Sequence, residues 1–146
     1  METRLATLKD LAKISEIENL TFRKPWKESD LAYEINENPV SIVLVLEEAN
    51  LILGYMSYWI TFDSATLSKI AIHPSFQGRK LSNVLMEEML DDCYAKKVRY
   101  VTLEVRKSNA KAISLYKKHG FKEEVIKLHY YDDGEDAIYM IRKVEI

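Results

Sequence analysis

The stretch from Thr66 to Asn83 reads as a strand, a tight basic loop and the start of a helix, and it restricts the fold more than any other segment. Ile70-Ala71-Ile72 is apolar with β-branched ends, and Pro74 closes it because proline brings no donor to a ladder. Gln77-Gly78-Arg79-Lys80 is polar and basic. Beyond it, Leu81, Val84, Leu85, Met86, Met89 and Leu90 recur at helical spacing. A strand entering a helix through a short loop aims backbone N–H groups and the positive helix end at one point, which suits a phosphate. The same unit also occurs purely as packing, so its spacing alone leaves both readings open.

The rest of the chain supplies partners for this unit. Leu8, Leu11, Ile14, Ile17 and Leu20 fall three apart and predict an amphipathic helix over 8–20 with Thr7 as its cap. Pro25-Trp26 interrupts, and Ser29 is placed to cap a second helix reaching Asn36. Strands follow at Ser41–Leu46 and Leu51–Thr61, joined by a turn at Glu47–Asn50. The strand Ala65–Ile72 changes phase, since Leu67 is odd while Ile70 and Ile72 are even. Two readings fit: a β-bulge near Ser68-Lys69, or burial of both faces. Val98–Val105 is a further strand, Ala112, Ile113, Leu115 and Tyr116 stripe a helix, and Gly120 offers a left-handed stop. Phe121–Tyr131 and Ala137–Val144 close the chain as strands around an Asp132-Asp133-Gly134 turn. Helices between strands, with hairpins at both ends, predict an α/β (α+β) domain with a mixed sheet.

With 146 residues, 47% of them hydrophobic and no break in composition, one domain over 1–146 is expected. A net charge of −2 gives no bulk reason for nucleic-acid binding. The first residues lack a long apolar run, so neither a secretory signal nor a membrane span is expected and the location reads as cytoplasmic. Cys93, the one cysteine, excludes an internal disulfide. His73, His119 and His129 are scattered without metal-ligand spacing, so no metal is expected.

Glu104 lies among Val101, Leu103 and Val105. Such a carboxylate is ion-paired, with Arg106 and Arg99 at hand, or solvent-facing, or desolvated into a useful base. Tyr116 on the helix stripe reads first as core, with a hydroxyl that needs a partner if buried. Asn109 reads as a helix cap. Tyr130-Tyr131 precede Asp132, Asp133, Glu135 and Asp136, which form either a solvated hairpin tip or an acidic attractor for a basic ligand.

Ile70 to Ser82 resembles the acetyl-CoA segment of the GNAT acetyltransferases, an apolar strand followed by Gln/Arg-x-x-Gly-x-Gly/Ala and a helix. Gln77 matches, whereas Lys80 and Ser82 stand where the family usually has glycines. Leu103 to Phe121, with Pro25-Trp26, Tyr130-Tyr131 and Glu135 to Ile138, resembles the bacterial group that acetylates the N-terminal alanine of a small-subunit ribosomal protein. The resemblance covers nearly the whole chain. It implies a mostly antiparallel sheet of about six to seven strands with helices on both faces. It implies acetyl-CoA as co-substrate and a protein N-terminus, on a basic ribosomal protein, as acceptor. By position it implies Glu104 as general base and Tyr116 as general acid. Cofactor contacts would fall at Ile70, Ala71, Ile72, Gln77, Gly78, Arg79, Lys80, Leu81, Ser82, Asn83 and Asn109, and acceptor contacts at Trp26, Tyr130 and Tyr131. The rival readings are an acetyltransferase for another amine, a lysine side chain or small molecule, and a CoA-binding module without catalysis.

Overall fold

A computed structural model describes residues 1–144 of the chain. Its elements are β1 (Glu2–Leu5), α1 (Leu11–Thr21), α2 (Glu28–Asn36), β2 (Ser41–Glu48), β3 (Leu51–Thr61), β4 (Ser64–Ile72), α3 (Leu81–Ala95), β5 (Tyr100–Arg106), α4 (Ala110–Lys118), β6 (Lys122–Lys127) and β7 (Ala137–Lys143). One seven-stranded sheet runs in the order β1-β2-β3-β4-β5-β7-β6. Its neighbours pair antiparallel except β4 and β5, which are parallel. A parallel pair needs a crossover, and α3 supplies it.

Each face of the sheet has its own core. Leu44, Leu46, Met56, Tyr58, Leu67 and Leu103 pack with Leu85, Met86 and Met89 of α3 and with Tyr116 of α4. On the opposite face Val43, Val45 and Tyr55 pack with Ile14 and Ile17 of α1 and Leu31 of α2. The alternation along β3, Met56 and Tyr58 one way and Tyr55 the other, is the period of a strand buried on both sides.

Several local expectations need correction. The N-terminal strand β1, paired with β2 from Glu2↔Glu47 to Leu5↔Leu44, was not legible because it is too short to show a period. Thr7 caps a 3-10 turn at Leu8–Asp10 rather than the α-helix itself, and Asp10 returns a bond to the Thr7 N–H. Helix α2 already begins at Glu28, with Asp30 accepting from the Lys27 N–H, so Ser29 is not its cap. The β2–β3 turn narrows to Ala49-Asn50, both with positive φ, as a two-residue hairpin requires. Strand β6 ends at Lys127, four residues short of the expected Tyr131.

The phase change in β4 is a bulge. Ser57 faces Lys69 and Tyr58 faces Leu67, so Ser68 is the extra residue. Ala65 and Leu67 therefore share the α3 face with Ile70 and Ile72, while Ala71 turns to the α1 face.

Candidate active site

The parallel pairing of β4 and β5 stops early. It covers Ser64↔Tyr100, Ala65↔Val101 and Thr66↔Thr102, and ends there, ahead of the bulge. The His73 N–H donates to Leu53 O at 2.8 Å. Alternation then turns the N–H groups of Ala71 and Lys69 toward β3 and those of Ile70 and Ile72 toward the gap. The Ile72 carbonyl points the same way, and Gln77 Nε2 donates to it at 3.0 Å. Gly54 sits opposite Ile72, where a Cβ would lie 2.7 Å from the Ala71 carbonyl oxygen, so β3 and β4 approach closely at the open end.

The loop after β4 closes one end of the gap. Gly78 and Lys80 both have positive φ, and Lys80 stands at the N-terminus of α3 with no side chain capping the helix. A left-handed non-glycine residue costs about 1–2 kcal/mol, which is the physical reason a glycine fits position 80. Leu81 is buried in the core, whereas Arg79 is half-exposed and pairs with Glu48 at 3.2 Å. Asn83 is engaged within the protein: its Oδ1 meets His119 Nε2 at 2.7 Å and its Nδ2 donates to Lys80 O at 3.2 Å. Ser82 opens the first turn of α3 beside it. Asn109 caps α4, its Oδ1 accepting from the Ala112 N–H at 3.1 Å, as expected of a cap.

Glu104 and Tyr116 lie on opposite faces of the sheet. Leu103 and Val105 point into the α3 and α4 core, so Glu104 points to the α1 side, where neither α1 nor α2 covers β5. Its Oε1 accepts from the Tyr130 hydroxyl at 3.0 Å, and its Oε2 lies 2.8 Å from Lys127 Nζ. The ion-paired reading holds, but with Lys127 rather than Arg106 or Arg99. The bond to Glu104 raises the Lys127 pKa. Arg106 is instead held by Asp133 at 2.9 Å and Glu135 at 3.0 Å, with its guanidinium over the Tyr131 ring. Lys127 was missed because its tie to Glu104 crosses β7, a neighbour relation that no local spacing records.

Tyr116 is 9% exposed and packs edge-on to Phe121. Among the described residues no partner bonds its hydroxyl. Burial, with a contribution from Tyr131, pushes its phenol up to about 12. It stays protonated at neutral pH, the state a proton donor needs. Tyr131 stands edge-on to Tyr130, so the pair links the surroundings of Glu104 and Tyr116.

The α1–α2 connection and the β6–β7 loop meet through Lys24 with Asp132 and Arg23 with Asp133. The Trp26 N–H donates to Glu18 Oε2 at 2.7 Å, and the Trp26 ring stacks against the Lys69 ammonium. Each acid of the β6–β7 loop already has a partner: Asp132 with Lys24, Asp133 with Arg106 and Arg23, Glu135 with Arg106, and Asp136 with the His129 N–H. They are neither a simply solvated tip nor a free acidic attractor. An open depression of about 450 Å³ lies nearby, lined by Lys107, Ser108, His129, Gly134, Glu135 and Asp136, apart from Glu104 and Tyr116. Cys93 is fully buried and its thiol is pushed up to about 11, which removes it as a nucleophile. Among the described residues no cluster of three potential metal ligands occurs, and no helix is long and apolar enough to cross a membrane.

Known proteins share this fold. The Acetyltransferase (GNAT) family model matches residues 11–121. A Bacillus subtilis (strain 168) protein, provisionally named a ribosomal protein bS18-alanine N-acetyltransferase, is 38% identical over 145 residues, 96% of each chain. The Salmonella typhimurium ribosomal protein bS18-alanine N-acetyltransferase is 34% identical over 134 residues, 90% of this chain and 89% of that one. The crystal structure of the Escherichia coli ribosomal-protein-S18-alanine N-acetyltransferase superposes with a TM-score of 0.91 at 31% identity, covering 99% of this chain and 94% of that one. A bulged β4 that parts from β5, a loop of left-handed residues leading into α3, and a family match spanning most of the described residues make this chain a member of the GNAT acetyltransferase family.

Proposed function

We propose that the protein transfers acetyl from acetyl-CoA to the N-terminal amine of a basic protein, with the N-terminal alanine of ribosomal protein bS18 as its natural acceptor. The observation that carries the reading is the end of the β4–β5 pairing at Thr66, with Glu104 on one face of the sheet and Tyr116 on the other. The names of the relatives supply the acceptor. A ribosomal acceptor implies a cytoplasmic enzyme.

Acetyl-CoA supplies a thioester, and the chain's own groups fit its parts. The free N–H groups of Ile70 and Ile72 pair with the pantetheine arm and donate to the thioester oxygen as charge gathers there. The uncapped N–H groups at Leu81 and Ser82, with Arg79 and Lys80, face the pyrophosphate. An N-terminal amine has a pKa of about 8 and is mostly protonated at neutral pH. Glu104 takes that proton, directly or through water. The amine forms the bond to carbon as the C–S bond breaks, Tyr116 protonates the leaving thiolate, and the second proton, shed by the new amide nitrogen, passes through water to restore the Tyr116 phenol. Lys127 and Tyr130 hold the Glu104 carboxylate in place. Trp26, Tyr130 and Tyr131 line the acceptor's path.

Release of CoA thiol tests the reading, with one basic peptide that begins with alanine and a copy whose terminus is blocked. Turnover with the free terminus alone is expected. Equal turnover with both, each carrying a lysine, moves the acceptor to a side chain. Acetyl-CoA binding without turnover on either supports a non-catalytic module.

A further inference from the structure

Glu18 on α1 is wholly buried, and none of the transfer steps uses it. Its Oε1 accepts from the Tyr55 hydroxyl, and its Oε2 accepts from the Lys69 ammonium at 2.6 Å and the Trp26 N–H at 2.7 Å. One carboxylate thus joins α1, β3, β4 and the α1–α2 connection. Phe22 and Trp26 roof the ammonium, with ring centroids 4.1 and 4.7 Å from it.

Lys69 directly follows the bulge residue Ser68. Without the bulge, strand alternation would turn Lys69 to the same side as Ala65 and Leu67, into the apolar core beneath α3. It would also carry Ile70 out of that core and reverse which N–H groups of β4 face the gap. An unpaired ammonium among apolar side chains is strongly disfavoured, and Glu18 rewards the opposite phase.

We propose that Glu18 and Lys69 are positioning residues for acetyl transfer, pinning the bulge so that the N–H groups of Ile70 and Ile72 face the acetyl donor. This rests on the reading of that edge as the acetyl site. Packing alone does not require the pair, since apolar side chains of similar volume hold a helix to a sheet at least as firmly as a buried ion pair. Apolar contact has no direction, whereas the three bonds accepted by Glu18 fix one phase of β4 and one position of Trp26.

The test is the full chain carrying Glu18→Gln with Lys69→Met, which removes both charges together. Expected are a kcat at least tenfold lower, an acetyl-CoA dissociation constant raised at least threefold, and faster amide exchange at Lys69 and Ala71, with β2 unchanged. Glu18→Gln alone carries the same readouts should the double variant fail to fold. A kcat within twofold of wild type, or unchanged exchange at Lys69 and Ala71, overturns the proposal. Should wild type itself show no turnover with the free-amine peptide, the acetyl-transfer reading fails, and the exchange measurement still decides whether the pair pins the bulge.

Discussion

The two ends of β4 differ in what lies beside them. From Ser64 to Thr66 the strand has β3 on one edge and β5 on the other. From Ile70 to Ile72 it keeps β3 and loses β5. The first end is an ordinary sheet interior whose backbone groups are satisfied. The second leaves the Ile70 and Ile72 N–H groups aimed away from β3 with no ladder partner. The proposed acetyl site lies where the β4–β5 ladder ends, two residues before the bulge at Ser68 in the β3–β4 ladder.

The largest way to break the contrast is at Glu104. Glu104→Gln keeps the shape and removes the base, and the rate with a free-amine peptide should fall ~10³-fold. Acetyl-CoA affinity measured by calorimetry should stay the same, because the carboxylate lies on the acceptor face. Unchanged turnover at neutral pH would remove Glu104 from the mechanism.

Tyr116→Phe comes next and should cost ~10²-fold in kcat. Its pH profile sharpens the assignment. Rate should climb through about pH 8 as the acceptor amine loses its proton. It should not fall again below about pH 10, since burial keeps the Tyr116 phenol protonated up to about 12. A descending limb near neutrality that disappears in Tyr116→Phe would contradict this.

Gly54→Ala attacks the open end from behind. The new Cβ would meet the Ala71 carbonyl at 2.7 Å and the Ile72 side chain at 2.6 Å. Forcing the strands apart should lower stability by about 1–3 kcal/mol in urea unfolding. Loss of protection should centre on Ala71 rather than on Ala65 at the paired end. A uniform loss along β4 would mean that its two ends are not independent.

The smallest expected effect is at the loop. Lys80→Gly removes a left-handed side chain and should raise stability by up to about 1 kcal/mol, the relief of strain less the entropy glycine brings. Its effect on acetyl-CoA binding separates two roles. Weaker binding with a shallower salt dependence makes the ammonium a phosphate contact, and tighter binding makes it an obstruction.

What the sequence shows about this site follows the range of the interactions that build it. The bulge was visible as the clash of phase between Leu67 and Ile70. The caps at Thr7 and Asn109 were visible because caps are local. Strand β1 escaped because its four residues are too few to show a period and pair with β2, beyond two intervening helices. The partners of Glu104 and of the acids at 132–136 escaped for the same reason: Lys127, Lys24 and Arg23 reach them across the sheet or between loops. Glu18 looked like any polar residue on an amphipathic helix, yet it is wholly buried, because Lys69 and Tyr55 come to it from strands.

Acetyl transfer as proposed depends on the open edge of β4, and amide NMR of the protein titrated with acetyl-CoA tests it most directly. The Ile70 and Ile72 amides should shift most and gain protection, while Ala65 and Thr66, between two strands, should barely move. Saturable acetyl-CoA binding that leaves Ile70 and Ile72 unshifted would contradict the account, because the donor would then lie elsewhere.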